Sequence, residues 1–121
     1  MILVDTSIWI GHLRGKRSRL EAALEEGVVL RHPFVIGEIA CGNLRNRAEL
    51  LELLGNLPTA PVADLEEALA FIEARGLMGR GIGYVDVHLL AAVELAGRAL
   101  IWTADRRLAR VARELGLAFE G

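Results

Sequence analysis

The segment Ile2-Leu3-Val4-Asp5-Thr6-Ser7 constrains this chain more than any other. Ile2, Leu3 and Val4 are apolar, without the alternation that one solvated face imposes. Such a run predicts a strand covered on both faces, at the centre of a parallel sheet. It stops at a carboxylate, Asp5, followed by Thr6 and Ser7, which can cap a helix. Open α/β sheets bind ligands at the carboxyl ends of their strands. Asp5 is therefore either a helix cap or the floor of an acidic site, and this stretch alone leaves both open.

The same pattern of buried strand and amphipathic helix recurs. Further strands are expected at Val28-Val29-Leu30, Ala99-Leu100-Ile101-Trp102 and Leu117-Ala118-Phe119, with a poor edge strand at Thr59-Ala60 between Pro58 and Pro61. Helices are expected over 8–13, broken by Gly11 and Gly15, and over 19–26, capped by Ser18 and ended by Gly27. Others span 34–43, opened by Pro33, and 46–57, with leucines on more than one face. The last three span 64–75, 84–97 and 106–115. In 64–75, Asp64 caps, Leu65, Ala68, Leu69 and Ile72 face inward, and Gly76 ends the helix. In 84–97 the inward face is Leu89, Leu90, Val93 and Ala96; in 106–115 it is Leu108, Val111, Ala112 and Leu115. The expectation is one α/β domain over 1–121, a three-layer fold whose mostly parallel sheet has helices on both faces and right-handed crossovers.

Composition narrows the class. Apolar residues make up 53% without counting the 13 glycines, above the ~45–50% usual with glycine included. That excess predicts surface covered by a partner or by self-association. No apolar run is long enough to span a membrane, and no basic segment precedes the first apolar run, so neither a membrane span nor a signal peptide is expected. The single cysteine, Cys41, fits a reducing cytoplasm and is expected in the core. Net charge is −2, which gives no global attraction to nucleic acid. Lys16 is the only lysine, so the basic side is nearly all arginine, whose forks match phosphate oxygens.

Four acids break the local pattern. Asp5 and Asp105 follow strands, while Glu38 and Asp86 stand near the starts of largely apolar helices. Glu38 has Phe34, Val35, Cys41 and Gly42 as its helical neighbours, which predicts an enclosed side chain. In a parallel sheet all strand ends share one edge, and the helices entered from that edge begin there. The four acids can then converge on one cleft, although each taken singly can be a cap or a paired structural charge. Crowded carboxylates repel, and a divalent cation removes that cost. All-oxygen donors select Mg²⁺ or Mn²⁺ over zinc. A water on such an ion can attack a phosphodiester. Thr6, Ser7 and Thr103 can orient ligands or water.

Other residues carry weaker signals. His12 and His32 are expected at the surface, and His88 on a different side of its helix from Asp86. Trp9 and Trp102 are expected in the core. The loop 76–83 holds four glycines but no Gly-Lys-Ser/Thr, so it is not a phosphate-cradling P-loop. Arg80 in that loop can reach a phosphate. The arginines of 14–19 and of 106–113, Arg106 and Arg107 among them, can line an RNA path or a solvated face.

Together these residues resemble the PIN-domain ribonucleases, and among them the VapC toxins of toxin–antitoxin pairs. The likeness rests on Val4-Asp5-Thr6-Ser7, on Glu38-Ile39-Ala40-Cys41-Gly42, on the segment 81–92 around Tyr84-Val85-Asp86, and on Thr103-Ala104-Asp105-Arg106-Arg107-Leu108. It implies metal ligation by Asp5, Glu38, Asp86 and Asp105, with Thr103 and Thr6 or Ser7 assisting. It also implies Mg²⁺- or Mn²⁺-dependent RNA cleavage, a homodimer, and inhibition by a cognate antitoxin, for which the helices of 19–57 would offer a groove. One departure stands out: Gly37 precedes Glu38 where the family often has a hydroxyl residue. A phosphoacceptor receiver domain would need paired acids and a late lysine. A haloacid-dehalogenase-type phosphatase would need Asp-x-Asp where this chain has Asp5-Thr6-Ser7. A stand-alone RNA-processing nuclease, or a PIN-like module that binds without cutting, is the alternative.

Overall fold

The computed structural model describes residues 1–13 and 19–120. The basic loop expected around Gly15, Lys16, Arg17 and Ser18, with its helix break and its cap, lies outside the described residues, as does the side chain of His12.

Strands β1 (Ile2–Val4), β2 (Val29–Leu30) and β3 (Leu100–Trp102) form a parallel sheet in the order β2-β1-β3. Leu3 stands opposite Leu30 on one side and Ile101 on the other. Successive side chains of a strand point to opposite faces. All three β1 residues are buried, so both faces of the central strand are covered, as its unbroken apolar run predicts. Each fully buried aliphatic side chain contributes about 1.5–3 kcal/mol of transfer free energy.

The two outer strands shrink to single parallel bridges, Arg31 to Thr59 and Ile101 to Ala118. On the first edge the flanking Pro58 and Pro61 have no N–H to extend the ladder. On the other, Ile101 exchanges one bond with Leu117 and one with Phe119, both 2.8 Å. The carboxyl ends of β1 and β3 lie side by side, with Val4 paired to Trp102.

Seven helices complete the described chain: α1 (Thr6–Leu13), α2 (Arg19–Glu25), α3 (Pro33–Cys41), α4 (Arg47–Gly55), α5 (Leu65–Arg75), α6 (Tyr84–Ala96) and α7 (Arg106–Glu114). Helix α1 runs straight through Gly11 rather than breaking there. A mid-helix glycine costs about 1 kcal/mol, and the fully buried Trp9 on the same helix outweighs that. Helix α5 opens with a reciprocal capping box between Asp64 and Glu67 and closes at Gly76 with φ +62°, a conformation glycine adopts without steric cost. Helix α6 is the most enclosed of the described helices: every residue from Val87 to Val93 is buried.

Several facings differ from the sequence expectation. Ala68 and Phe71 set the buried face of α5, which leaves Leu65 and Leu69 outside it, 61% and 50% exposed. Ala96, at the last turn of α6, is exposed rather than inward. On α4, Leu50 and Leu54 pack inward and Leu53 is exposed. Cys41 is exposed, because it ends α3 beyond the last buried residue, Ile39. His32 and His88, by contrast, are buried. His32 caps α3, its Nδ1 accepting the Phe34 N–H at 3.0 Å. Its pKa falls to about 4, chiefly through burial and then through His88.

Candidate active site

The acidic centre starts at the carboxyl end of β1. The backbone carbonyl of Asp5 accepts the N–H groups of Ile8 and Trp9 and so starts α1. Among the described residues the Asp5 side chain caps no backbone N–H. It is buried, and its Oδ2 accepts the Ser7 and Thr103 hydroxyls, each at 2.8 Å. Both hydroxyls are themselves held. Ser7 Oγ accepts the Ala104 N–H at 2.9 Å, and Thr103 Oγ1 accepts the Asp105 N–H at 3.0 Å. Each therefore has its proton free for Asp5. The lock ties the turn after β1 to the turn after β3, a link between residues 96 apart in sequence.

The other acids come from three different elements. Glu38, on α3, accepts the Thr6 hydroxyl at Oε1, 2.6 Å away. Glu38 is exposed rather than enclosed, because Val35 and Ile39 take the buried side of α3. Asp86, in the first turn of α6, is half-buried, and its Oδ2 accepts the Gly83 N–H at 3.1 Å. Asp105 caps α7, its Oδ1 accepting the N–H groups of Arg107 and Leu108 at 2.9 and 3.0 Å. The capping alternative thus holds for Asp105 and partly for Asp86, yet it commits only one oxygen of each. Among the described residues Asp5 Oδ1, Glu38 Oε2, Asp86 Oδ1 and Asp105 Oδ2 accept no hydrogen bond.

The four acids share one electrostatic field. Burial pushes the Asp86 carboxyl above its usual range against the pull of the Gly83 N–H, and the charges of Asp5, Asp105 and Glu38 push it further. Among the described residues no three His, Cys, Asp or Glu side chains already converge as a ready metal cluster. The donor set nevertheless fits a hard divalent cation: oxygen only, four uncommitted atoms, and a mutual repulsion that a cation relieves.

A PIN-domain family model matches residues 2–114. The chain belongs to the PIN-domain family. This PIN domain is 46% identical over 118 residues to ribonuclease VapC32 of Mycobacterium tuberculosis, in strain H37Rv and equally in strain CDC 1551. The alignments cover 98% of this chain and 95% of each relative. Its fold is similar to the crystal structure of PAE2754 from Pyrobaculum aerophilum, with a TM-score of 0.67 at 15% identity, covering 98% of this chain and 87% of that one. The family and the α/β fold expected from the sequence are both found.

Of the weaker candidates in this PIN domain, Arg80 is engaged elsewhere, pairing with Glu114 at 2.7 Å. Arg106 and Arg107 are exposed and make no ion pair among the described residues. The Arg107 stem lies against Gly81, which has φ +81° and where a Cβ would come within 2.9 Å of it. Sequence reasoning missed the ring cluster beside Asp86: His88 contacts Tyr84 and Phe34 at centroid distances of 4.5 and 4.6 Å, and His32 contacts Phe34 at 5.1 Å. The spacing of Tyr84 and His88, four apart on α6, was the available signal.

The hydroxyl lock yields an expected outcome. Thr103→Val keeps the shape and removes the donor to Asp5 and the acceptor for the Asp105 N–H. Loss of such a supporting contact reduces metal affinity or activity about 10- to 100-fold. Cleavage assays on the folded variant check this, and parent-like activity would show the lock to be dispensable.

Proposed function

We propose that this protein is a Mg²⁺- or Mn²⁺-dependent endoribonuclease that acts as the toxin of a toxin–antitoxin pair. One observation carries the reading: carboxylates from four separate elements share a field at the carboxyl edge of the sheet, each with an oxygen uncommitted among the described residues. They occur in a chain 46% identical to ribonucleases named VapC32. In this reading Asp5, Glu38, Asp86 and Asp105 are the metal ligands. Ser7 and Thr103 hold the turns after β1 and β3 in register, and Thr6 joins the first of them to α3. The bound ion would supply an activated water and charge neutralisation at the phosphoryl oxygens.

The chain's own contribution is placement. Asp5 is the buried member of the four, held by two hydroxyls, while exposed Glu38 and Asp105 are each held through one oxygen and turn the other toward the open side. Exposed Leu65, Leu69, Met78, Tyr84 and Leu95 support a homodimer of single-domain protomers. Exposed Leu53 supports an antitoxin seated on the helices of 19–57. An exposed free thiol at Cys41 suits a reducing cytoplasm.

Incubation with a mixed RNA pool tests the activity. Internal cleavage is expected with Mg²⁺ or Mn²⁺, with EDTA abolishing it and a co-expressed antitoxin from the neighbouring reading frame suppressing it. Intact RNA with both metals, or cutting undiminished by EDTA, would contradict the proposal.

A further inference from the structure

The groove along α7 has no role in the acidic centre itself. Arg106, Ala109, Arg110 and Arg113 stand at i, i+3, i+4 and i+7, one stripe of the helix, while Leu108, Val111 and Ala112 take its buried side. Two cavities open beside that stripe. One, of about 380 Å³, is lined by Thr103, Ala104, Arg106, Ala109, Arg110 and Arg113. The other, of about 210 Å³, includes Trp102, Thr103, Arg113, Phe119 and Glu120 in its lining. Thr103, Ala109 and Arg113 border both, so the cavities adjoin. Thr103 is also the residue whose hydroxyl reaches Asp5. The groove therefore borders the residue that holds Asp5, one side chain away from the acidic centre.

Its chemistry is that of a single-stranded nucleic-acid path. Arg106 and Arg110 are exposed and have no ion pair among the described residues, leaving two guanidinium forks for phosphate oxygens. Arg113 is held by Glu120 at 3.2 Å, so it borders the second cavity without a free charge. Trp102 and Phe119 meet edge to face there, centroids 5.1 Å apart, and both are half-buried. A base can stack on such a ring, and the Glu120 carboxylate can accept from an exocyclic amino group. An acidic centre in a chain of net charge −2 repels RNA, so a local cationic stripe is what would bring the strand to it.

We propose that this groove carries the single-stranded RNA flanking the scissile bond, with phosphates on Arg106 and Arg110 and one base against Phe119. The proposal rests on the nuclease reading above and adds the course of the substrate. It is tested by binding of a fluorescein-labelled uridine oligomer of roughly 12 nucleotides in EDTA, where cleavage is suppressed, across a salt series. Arg106→Gln/Arg110→Gln is expected to bind about tenfold or more weaker at low salt and to lower the salt slope by about 1.4, or 0.7 for each phosphate no longer neutralised. Phe119→Leu is expected to weaken binding about fivefold or more with the slope unchanged. Both arginine replacements are at exposed positions, and parent-like melting checks the fold.

Cleavage by the parent with Mn²⁺, run in parallel, keeps the two readings apart. A parent that cuts RNA while the variants bind with unchanged affinity and slope overturns the groove alone. A parent that neither binds nor cuts overturns the nuclease reading and the groove with it. Variants that keep RNA affinity but lose affinity for a polyglutamate peptide would assign the groove to an acidic protein segment, and that too overturns the proposal.

Discussion

Asp5→Asn is expected to abolish RNA cleavage while leaving the fold intact. The Ser7 and Thr103 hydroxyls are both committed donors to Asp5 Oδ2. They will hold the asparagine carbonyl oxygen in that place. The amide nitrogen then falls where the uncommitted carboxylate oxygen stood, presenting two protons and no charge to a cation. Removing a group that merely supports a ligand costs 10- to 100-fold, so removing the ligand should cost at least ~100-fold. The lock between the β1 and β3 turns survives the change. Cleavage rates beside far-ultraviolet circular dichroism and melting curves check both halves. Retained activity would return Asp5 to a structural role.

Asp86→Asn should move stability and activity in opposite directions. The asparagine oxygen can still accept the Gly83 N–H that Asp86 now accepts. What disappears is a charge that burial and then the Asp5, Asp105 and Glu38 carboxylates disfavour. A carboxyl whose folded pKa is raised binds its proton more tightly in the native state than in the unfolded chain. Stability therefore declines as pH climbs from the unfolded value through the raised folded value, and recovers as pH falls back through it. In EDTA the parent should show that decline and the variant should show less of it, with the higher melting temperature at neutral pH. Saturating Mn²⁺ should raise the parent's melting temperature by mass action and the variant's far less, and cleavage should be lost. A variant that melts below the parent in EDTA at pH 7 would mean that the charge is compensated in the native state.

The sheet centre and the acid positions are legible in the sequence for the same reason. A strand with no polar residue must be covered on both faces, and the first polar residue after it must lie at the strand's end. That logic locates Asp5 after Val4 and Thr103 after Trp102, with Asp105 two residues further on. It also allows the parallel order in which Val4 and Trp102 are neighbours. Helix facing is less legible. Leu65 and Leu69 fit an apolar stripe as well as Ala68 and Phe71 do, yet Ala68 and Phe71 are the buried pair. The apolar helical neighbours of Glu38 predict enclosure. Of those neighbours only Val35 is buried, Phe34 and Gly42 are half-buried and Cys41 is exposed, so the carboxylate lies on the open side. Nearness to a loop predicts a surface position for His32, whereas its imidazole replaces a hydroxyl as the cap of α3 and is buried by the ring of Phe34. The hydroxyl lock joins residues that local pattern cannot relate, since only the parallel pairing of β1 and β3 brings Ser7 to Ala104.

The unity of the acidic centre is most directly tested by calorimetric titration of Mn²⁺ into the parent and into Asp5→Asn, Glu38→Gln, Asp86→Asn and Asp105→Asn. Each replacement preserves side-chain shape, and each acid retains its positioning contact through a single oxygen. The expected result is saturable Mn²⁺ binding by the parent and a large loss of affinity in every variant, in step with loss of RNA cleavage. Parent-like binding by the Asp5 or the Asp86 variant, or a parent that binds no Mn²⁺ while still cutting RNA, would contradict a single metal site built from the four acids.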